Sequence, residues 1–263
     1  MSQERSAPPP LPYETQLASG APRAKEVVKG LISWSTLPLG SLIRVATREP
    51  AIALTFDDGP DPVETPRVLE ILERHGARGT FFLVGKSAQR HPEIVARAVA
   101  AGHAVANHSW DHPSFRLIRG SYRRAQIRWC GEALAPHGGT RLFRPPFGEQ
   151  SLASRLDALR RGHRVVCWDV VAEDWRDDPA ELLVQRVMRR LRRGSIVLFH
   201  DTLYVADEER YRDRAPMQEA LEILLGRLAG YRFVTVPELL RLGRPVRWPI
   251  YHRLPLDFHR KLV

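Results

Sequence analysis

Two adjacent aspartates follow the first strongly apolar run of the sequence. Asp57 and Asp58 come directly after Ala51–Phe56, which has the β-branched and aromatic bias of a buried strand and is followed by a Gly-Pro pair. Parallel α/β folds gather their binding groups at the carboxyl ends of strands. Because successive residues of an extended chain point in opposite directions, one carboxylate can face a metal ion while the other faces a substrate or an orienting cation. Taken alone, the stretch favours a simpler interpretation, a solvated turn.

Two histidines add further candidate metal ligands. His108 and His112 stand four residues apart, so a single helical turn would place both imidazoles on one face. This spacing alone is a weak signal. However, both histidines follow another predicted strand, residues 103–107, and so lie at the same end of the sheet as Asp58. Two histidines and one carboxylate form an open ligand set that leaves coordination sites for water and substrate.

Three further strand ends carry ionisable residues. Arg144 precedes two prolines that stiffen its loop, Asp174 precedes Trp175, and His200 ends the apolar run that starts at Ser195. Singly, these residues are explained as a surface ion pair, a loop acid and a buried structural histidine. Five strand ends with ionisable residues of complementary type indicate an active site.

The elements that must position these residues alternate regularly. Apolar stretches predict strands at residues 51–56, 79–84, 103–107, 142–144, 164–168, 195–199 and 232–236. Helices are predicted between them, the first capped by Thr65 with Pro66 at its first position and ended by Gly76, and the others at 92–102, 121–134, 152–161, 178–194 and 216–228. This alternation predicts a parallel α/β sheet, open or closed into a barrel, and 263 residues suffice for one such domain.

The remaining segments carry no catalytic pattern. Residues 1–23 read as a flexible arm, and 25–45 as helix and turn that pack on the domain or, alternatively, lie on a membrane surface. Residues 202–214 are polar and predict a surface loop. The chain is therefore divided into an N-terminal arm (1–45), a catalytic domain (46–243) and a basic, aromatic tail (244–263).

The composition of the chain limits the kinds of binding partner that are expected. The net charge is +10, but the chain has only four lysines, and arginines spread along helices are more simply solvated faces. No nucleic-acid-binding motif accompanies them, so no nucleic-acid partner is expected, whereas peripheral contact with an anionic membrane stays open. Cys130 and Cys167 lack metal spacing and predict reduced core residues. Without a signal peptide or an apolar stretch of 18 residues, the protein is expected in the cytoplasm, either free or at the inner face of the membrane. The oligomeric state is not predicted.

An ordered set of five motifs resembles the polysaccharide deacetylase family, the NodB-homology enzymes of carbohydrate esterase family 4. The motifs are Thr55-Phe-Asp-Asp-Gly-Pro60, His108-Ser-Trp-Asp-His112, Arg144-Pro-Pro-Phe147, Asp174-Trp175 and Leu198-Phe-His200. They occur in the family's order between about Pro50 and Leu242. The resemblance implies a single-domain, NodB-like, distorted (β/α)7 barrel and an N-deacetylase.

The same resemblance implies a divalent metal held by Asp58, His108 and His112. Zinc is the first choice, with Co²⁺, Ni²⁺ and Mn²⁺ as alternatives. One position departs from the family pattern, because Val171 stands where the fourth motif usually begins with an aspartate. This departure puts the local hydrogen bonding of that loop in question more than the activity.

The resemblance also assigns roles in amide hydrolysis. Asp57 is the general base for a metal-activated water, His200 is the general acid, Arg144 orients Asp57, and Asp174 orients His200. The residues expected to line the acetyl pocket are Phe147, Trp175 and Leu198. The predicted activity is removal of an N-acetyl group from an amino sugar in an oligosaccharide, a polysaccharide or a lipid-linked sugar. The alternatives are a deformylase or amidase acting on a lipid-carried sugar or other small amide, and a non-catalytic carbohydrate-binding barrel.

Overall fold

The computed structural model of the protein describes residues 40–206 and 209–248. The predicted flexible arm and most of the predicted 25–45 segment lie outside the described residues, as does the tail beyond residue 248. No helix in the two described ranges is long and apolar enough to cross a membrane. Both cysteines are buried and free, which confirms their prediction as reduced core residues.

A curled parallel sheet flanked by helices forms the body of the protein. The strands are β1 Ser41–Ala46, β2 Ala51–Asp57, β3 Gly79–Leu83, β4 Ala104–Asn107, β5 Leu142–Phe143, β6 Arg164–Val165, β7 Val170–Val171, β8 Ile196–His200, β9 Arg232–Phe233 and β10 Arg244–Trp248. The helices are α1 Glu64–Arg74, α2 Gly85–Arg90, α3 Pro92–Ala100, α4 Gly120–Leu134, α5 Leu152–Arg160, α6 Ala180–Arg190, α7 Ala215–Arg227 and α8 Val236–Leu239. The main sheet has the order β6-β5-β4-β3-β2-β8-β7, with β9 paired to the start of β2. This arrangement confirms the predicted distorted (β/α) barrel.

The central strand β2 separates two apolar cores. Ile52, Leu54 and Phe56 belong to the larger core, which packs the sheet against α1, α3, α4, α6 and α7. Ala51 and Ala53 belong to a smaller core inside the curl of the sheet. Because side chains alternate along a strand, Thr55 and Asp57 share the inner face with these alanines. The alternation therefore directs Asp57 into the barrel.

The open side of the curl is bridged by β1, which pairs antiparallel with β10. The backbone carbonyl of Leu42 accepts a hydrogen bond from Cys167 N at 2.7 Å, and Val45 N donates to Gly194 O at 2.8 Å. Gly194 has φ +79°, and a Cβ there would lie 1.7 Å from Val45 O. The helix and turn predicted for 25–45 are thus wrong over Ser41–Val45, which form a strand. The division into an arm, a catalytic domain and a tail stays a prediction. However, β1 and β10, which lie at its two boundaries, pair with each other.

Two element ends differ from the sequence prediction because local hydrogen bonds decide them. Helix α1 begins at Glu64, so Thr65 is not its cap; the Thr65 hydroxyl accepts from Asp61 N at 2.8 Å. The strand predicted over 232–236 ends at Phe233, since the Thr235 side chain caps α8. The two-residue strand β7 was not predicted.

Candidate active site

A buried arginine fixes the carboxylate of Asp57. Arg144 is fully buried inside the barrel, and its Nη1 donates to Asp57 Oδ1 at 2.6 Å and to Thr55 Oγ1 at 2.9 Å. Its other donors reach the carbonyls of Val166 and Cys167 at 3.3 and 3.0 Å. With its donors held from several sides, the guanidinium is a fixed cation beside Asp57. The other carboxylate oxygen of Asp57 lies 3.7 Å from His108 Nε2.

Asp58 also approaches His108 because the backbone turns at this residue. Its φ is +80°, outside the extended conformation of β2. Asp58 Oδ1 lies 3.3 Å from His108 Nε2 and 3.2 Å from His112 Nε2, while Oδ2 accepts from the backbone N–H of Tyr204 at 3.0 Å. One oxygen of Asp58 is therefore held by the backbone and the other faces the two histidines.

The two histidines meet through a polar turn and not through the predicted helical turn. Ser109 and His112 have φ of +72° and +57°. The Asn107 side chain accepts from Ser109 N at 2.9 Å, and the Ser109 hydroxyl accepts from His112 N at 3.1 Å. The resulting turn brings the His108 and His112 rings to 4.9 Å between centroids. Hydrogen bonds between side chains and the backbone, and not helical geometry, thus bring the two histidines together.

The Asp58, His108 and His112 cluster fits a divalent cation. One ligand atom from each residue lies within 4.8 Å of the others, and Asp58 Oδ1 is buried without a hydrogen-bond partner. The His108 Nδ1 contacts the carbonyl of Arg144 at 2.8 Å, so Nδ1 carries the proton and Nε2 is left with its lone pair. Burial raises the pKa of Asp58, but attraction to His112 and the close approach of both imidazole rings bring it well below its usual range. An ionised carboxylate with two imidazoles is a typical zinc ligand set.

His200 and Asp174 form a second pair at the end of β8. Asp174 Oδ1 lies 3.1 Å from His200 Nδ1, and Oδ2 accepts from His200 N at 2.8 Å. Burial lowers the pKa of His200, yet the charge and hydrogen bond of Asp174, with smaller contributions from Asp58 and Asp57, raise it to about 9. At neutral pH the imidazole is therefore protonated and can act as an acid.

Aromatic side chains flank the two pairs. The Phe147 ring lies 4.6 Å from the His112 ring, and the Trp175 ring lies 5.4 Å from His200 and perpendicular to it. Leu198 is buried on β8 and pairs in register with Thr55. Phe147 thus lies beside His112 and Trp175 beside His200, and their assignment to an acyl pocket stays a prediction.

Val171 lies on β7 beside Leu198 and is buried. The contacts between Asp174 and His200 form without an acid at residue 171.

Sequence reasoning missed three residues of the site, all after β8. Asp201 is buried and its carboxylate accepts from Gly59 N at 3.2 Å, just after the two aspartates. Tyr204 supplies the N–H to Asp58, and Arg214 donates to Asp174. The predicted 202–214 surface loop is therefore wrong for Arg214, which is buried. A polar stretch without periodicity gave no signal for these contacts.

Known proteins match the chain over most of its length. A family profile described as polysaccharide deacetylase matches residues 44–166. The chain is 35% identical over 224 residues to a peptidoglycan-N-acetylglucosamine deacetylase of Bacillus cereus, covering 81% of this chain and 94% of that protein. It is 37% identical over 166 residues to a chitooligosaccharide deacetylase of Azorhizobium caulinodans, covering 62% and 79%. A crystal structure of a peptidoglycan N-acetylglucosamine deacetylase with a bound N-hydroxybenzamide derivative superposes with a TM-score of 0.72 at 29% identity, covering 81% of this chain and 98% of that one.

Proposed function

Since the chain belongs to the polysaccharide deacetylase family, hydrolases of carbon–nitrogen bonds other than peptide bonds, we propose that it removes the N-acetyl group of an amino sugar. The observation that carries this proposal is that several charged and ionisable side chains lie close together at the ends of neighbouring strands. The Asp57–Arg144 pair adjoins the Asp58, His108 and His112 cluster, and His200 lies beside Asp57 as its register partner on the neighbouring strand.

The substrate class follows from the relatives. One is named for the N-acetylglucosamine of peptidoglycan and another for chitooligosaccharides. We therefore infer an N-acetylated amino sugar in an oligosaccharide or polysaccharide, with a lipid-linked sugar as a third form. A cytoplasmic location and peripheral contact with the membrane remain parts of this proposal that the sequence alone supports.

We assign Asp58, His108 and His112 as ligands of a divalent cation, zinc before cobalt, nickel or manganese. When bound, the cation would supply Lewis-acid chemistry and would lower the pKa of water to about 7. The chain's part is to keep the ligands in place: the Arg144 carbonyl holds His108, and the Tyr204 N–H holds Asp58. Such outer contacts orient metal ligands and tune their basicity.

The protein residues around the cluster handle the protons. Asp57 accepts a proton from the attacking water, and Arg144 keeps the carboxylate oriented for it. His200 donates a proton to the departing nitrogen, with Asp174 holding Nδ1 so that Nε2 is the donor. Each positioned proton transfer contributes a factor of roughly 10²–10⁴. Phe147 and Trp175, beside His112 and His200, would line the acyl pocket.

Measuring acetate and formate release from a panel of N-acylated sugars tests the proposal. The panel holds short oligosaccharides, a polymer and a lipid-linked sugar, each assayed with the zinc-loaded protein, after chelation, and after zinc is restored. We expect acetate release that chelation abolishes and zinc restores. Formate release without acetate would favour the deformylase alternative, and saccharide binding without any acyl release would favour a non-catalytic barrel.

A further inference from the structure

Arg214 contacts both members of the acid pair although it lies outside every catalytic motif. Its Nη1 donates to the backbone carbonyl of Asp174 at 2.8 Å, and its Nη2 donates to the Asp174 carboxylate and to the backbone carbonyl of His200 at 3.0 Å. The side chain is only 2% exposed. One guanidinium therefore ties together the loop that carries the carboxylate and the strand that carries the imidazole.

The two carboxylate oxygens of Asp174 have different hydrogen-bond partners. Oδ1 faces His200 Nδ1, while Oδ2 accepts from Arg214 and from the backbone N–H of His200. Burial raises the pKa of Asp174, but the charges of His200 and Arg214 lower it overall. When His200 gives up its proton, Arg214 is the cation that remains in contact with this buried carboxylate. A buried carboxylate without a partner would be costly, and it would move or take a proton.

We propose that Arg214 is a positioning residue for the general acid: it holds Asp174 in place so that His200 keeps its orientation whether or not it carries the transferable proton. This role rests on the proposed function, since it presumes that His200 donates the proton. Arg214 acts through Asp174 and contacts neither the metal ligands nor Asp57 in the described structure.

The competing explanation is a purely structural one. Arg214 lies directly before α7, and its carbonyl accepts from Gln218 N, so it also anchors that helix. A structural anchor predicts lower stability with an unchanged acid pair. A positioning residue predicts a disturbed acid pair in a folded protein.

A neighbouring arginine offers a matched control. Arg186 on α6 donates to the carbonyl of Ala172 at 3.3 Å and pairs with Asp178 and Glu173, but it makes no contact with Asp174. It braces the same loop without contacting the acid pair. Arg186→Gln therefore removes a comparable cation while leaving the proposed contacts intact.

The test compares Arg214→Met, Arg214→Lys and Arg186→Gln with the wild type in the zinc-loaded protein. The first readout is the proton NMR resonance of His200 Nδ1–H, which a fixed hydrogen bond to Asp174 shifts downfield and keeps narrow. We expect Arg214→Met to lose or broaden it and Arg186→Gln to retain it. On an active substrate, kcat of Arg214→Met should fall about 10- to 100-fold with KM unchanged.

Arg214→Lys keeps the charge but reaches fewer of the acceptors, so we expect an intermediate kcat. If the methionine variant does not fold, the lysine variant is compared with the wild type in its place. A wild-type resonance and kcat in the Arg214 variants would overturn the proposal. Equal loss in Arg186→Gln would overturn it as well, because loop rigidity would then explain the effect. If the wild type releases no acyl group from any sugar, the proposed function fails, whereas the NMR comparison still decides the role of Arg214.

Discussion

The two adjacent aspartates have different proposed tasks in this site, so isosteric variants should separate them. Asp57→Asn keeps the shape but cannot accept a proton, and Asp58→Asn replaces an ionised ligand by a neutral amide. We expect Asp57→Asn to bind zinc normally and to lose roughly 10²–10⁴-fold in kcat. Asp58→Asn should lose most of its zinc. Metal content by atomic absorption after gel filtration and acyl release on the same samples would measure both.

Circular dichroism serves as the control for this pair, because removing the charge of Asp57 leaves the buried Arg144 without its partner. Near-normal turnover by Asp57→Asn would contradict its assignment as the base. Normal zinc content in Asp58→Asn would contradict the ligand set.

The alkaline limb of the pH–rate profile should report His200. The acid must be protonated, so activity is retained below its pKa and lost as the pH rises through it, at about 9 or somewhat lower when a bound cation repels the imidazolium. Removing the attraction of Asp174 lowers this pKa, so Asp174→Asn should move the limb toward lower pH. Profiles of kcat/KM for both proteins give the measurement. A wild-type rate that stays flat to pH 10 would argue against His200 as the acid.

At the scale of residues, the sequence predicted those groups that end apolar strands. Asp57, Asp58 and His200 could be found because a strand pattern fixes where its last residues lie. Tyr204 and Arg214 could not be found in the same way. One contributes a backbone N–H, which every residue type except proline has, and the other reaches Asp174 with a long side chain from a stretch without periodicity.

Neighbouring strands β3 and β4 are joined at their starts by a neutral histidine. The Gly79 N–H donates to His103 Nδ1 at 3.0 Å, an interaction that protonation of this nitrogen would remove. Burial and the nearby Arg78 lower the pKa of His103 to about 4. The pKa of His103 is lower in the folded state than in the unfolded state, so the neutral imidazole stabilises the fold fully above pH 6.5. This stabilisation is lost as the pH falls from 6.5 toward 4, and the loss is on the order of 3 kcal/mol.

Urea unfolding at several pH values between 7 and 4 would measure this loss. We expect His103→Gln to be less stable near neutral pH and to show a shallower dependence on acid. His137→Gln, in the surface turn Ala135–His137, is the control and should keep the wild-type slope. An unchanged slope in His103→Gln would show that other groups cause the acid sensitivity.

At the scale of elements, long patterns were predictable and short ones were not. The apolar runs of β2, β3 and β8 identified those strands, because strands buried on both faces have almost continuous apolar sequences. The strand β7 has two residues, too few for any periodicity. The His108–His112 spacing suggested helix, yet hydrogen bonds from Asn107 and Ser109 side chains select a turn. Side-chain competition for backbone groups cannot be read from spacing.

Across the whole molecule, closure of the barrel depends on the close approach of β1 to Gly194. An alanine there would combine an unfavourable φ of +79° with a Cβ 1.7 Å from Val45 O, so β1 would have to move. We expect Gly194→Ala to lower the free energy of unfolding by about 2–4 kcal/mol. The control is Gly226→Ala on α7, where a Cβ meets nothing within 4 Å and alanine should stabilise the helix by up to about 1 kcal/mol.

Denaturant unfolding of the two variants at equal zinc occupancy would compare them, since bound metal adds to apparent stability. Equal stabilities would mean that β1 is not tightly seated against Gly194. This closure was not predictable from sequence, because the pairing of β1 with β10 joins segments about 200 residues apart and neither has a strong strand pattern.

The pairing of β1 with β10 also decides how the protein would respond to mechanical load. Ser41 lies opposite Trp248, and Ala46 lies opposite Arg244, so the described chain enters and leaves at the same end of one antiparallel ribbon. Tension applied at those two points would unzip the ribbon one hydrogen-bonded pair after another, starting at Ser41 and Trp248, instead of shearing all pairs together. Such tension would therefore separate β10 from β1 while the hydrogen bonds of β1 with Cys167 and Gly194 still hold β1 to the body of the protein.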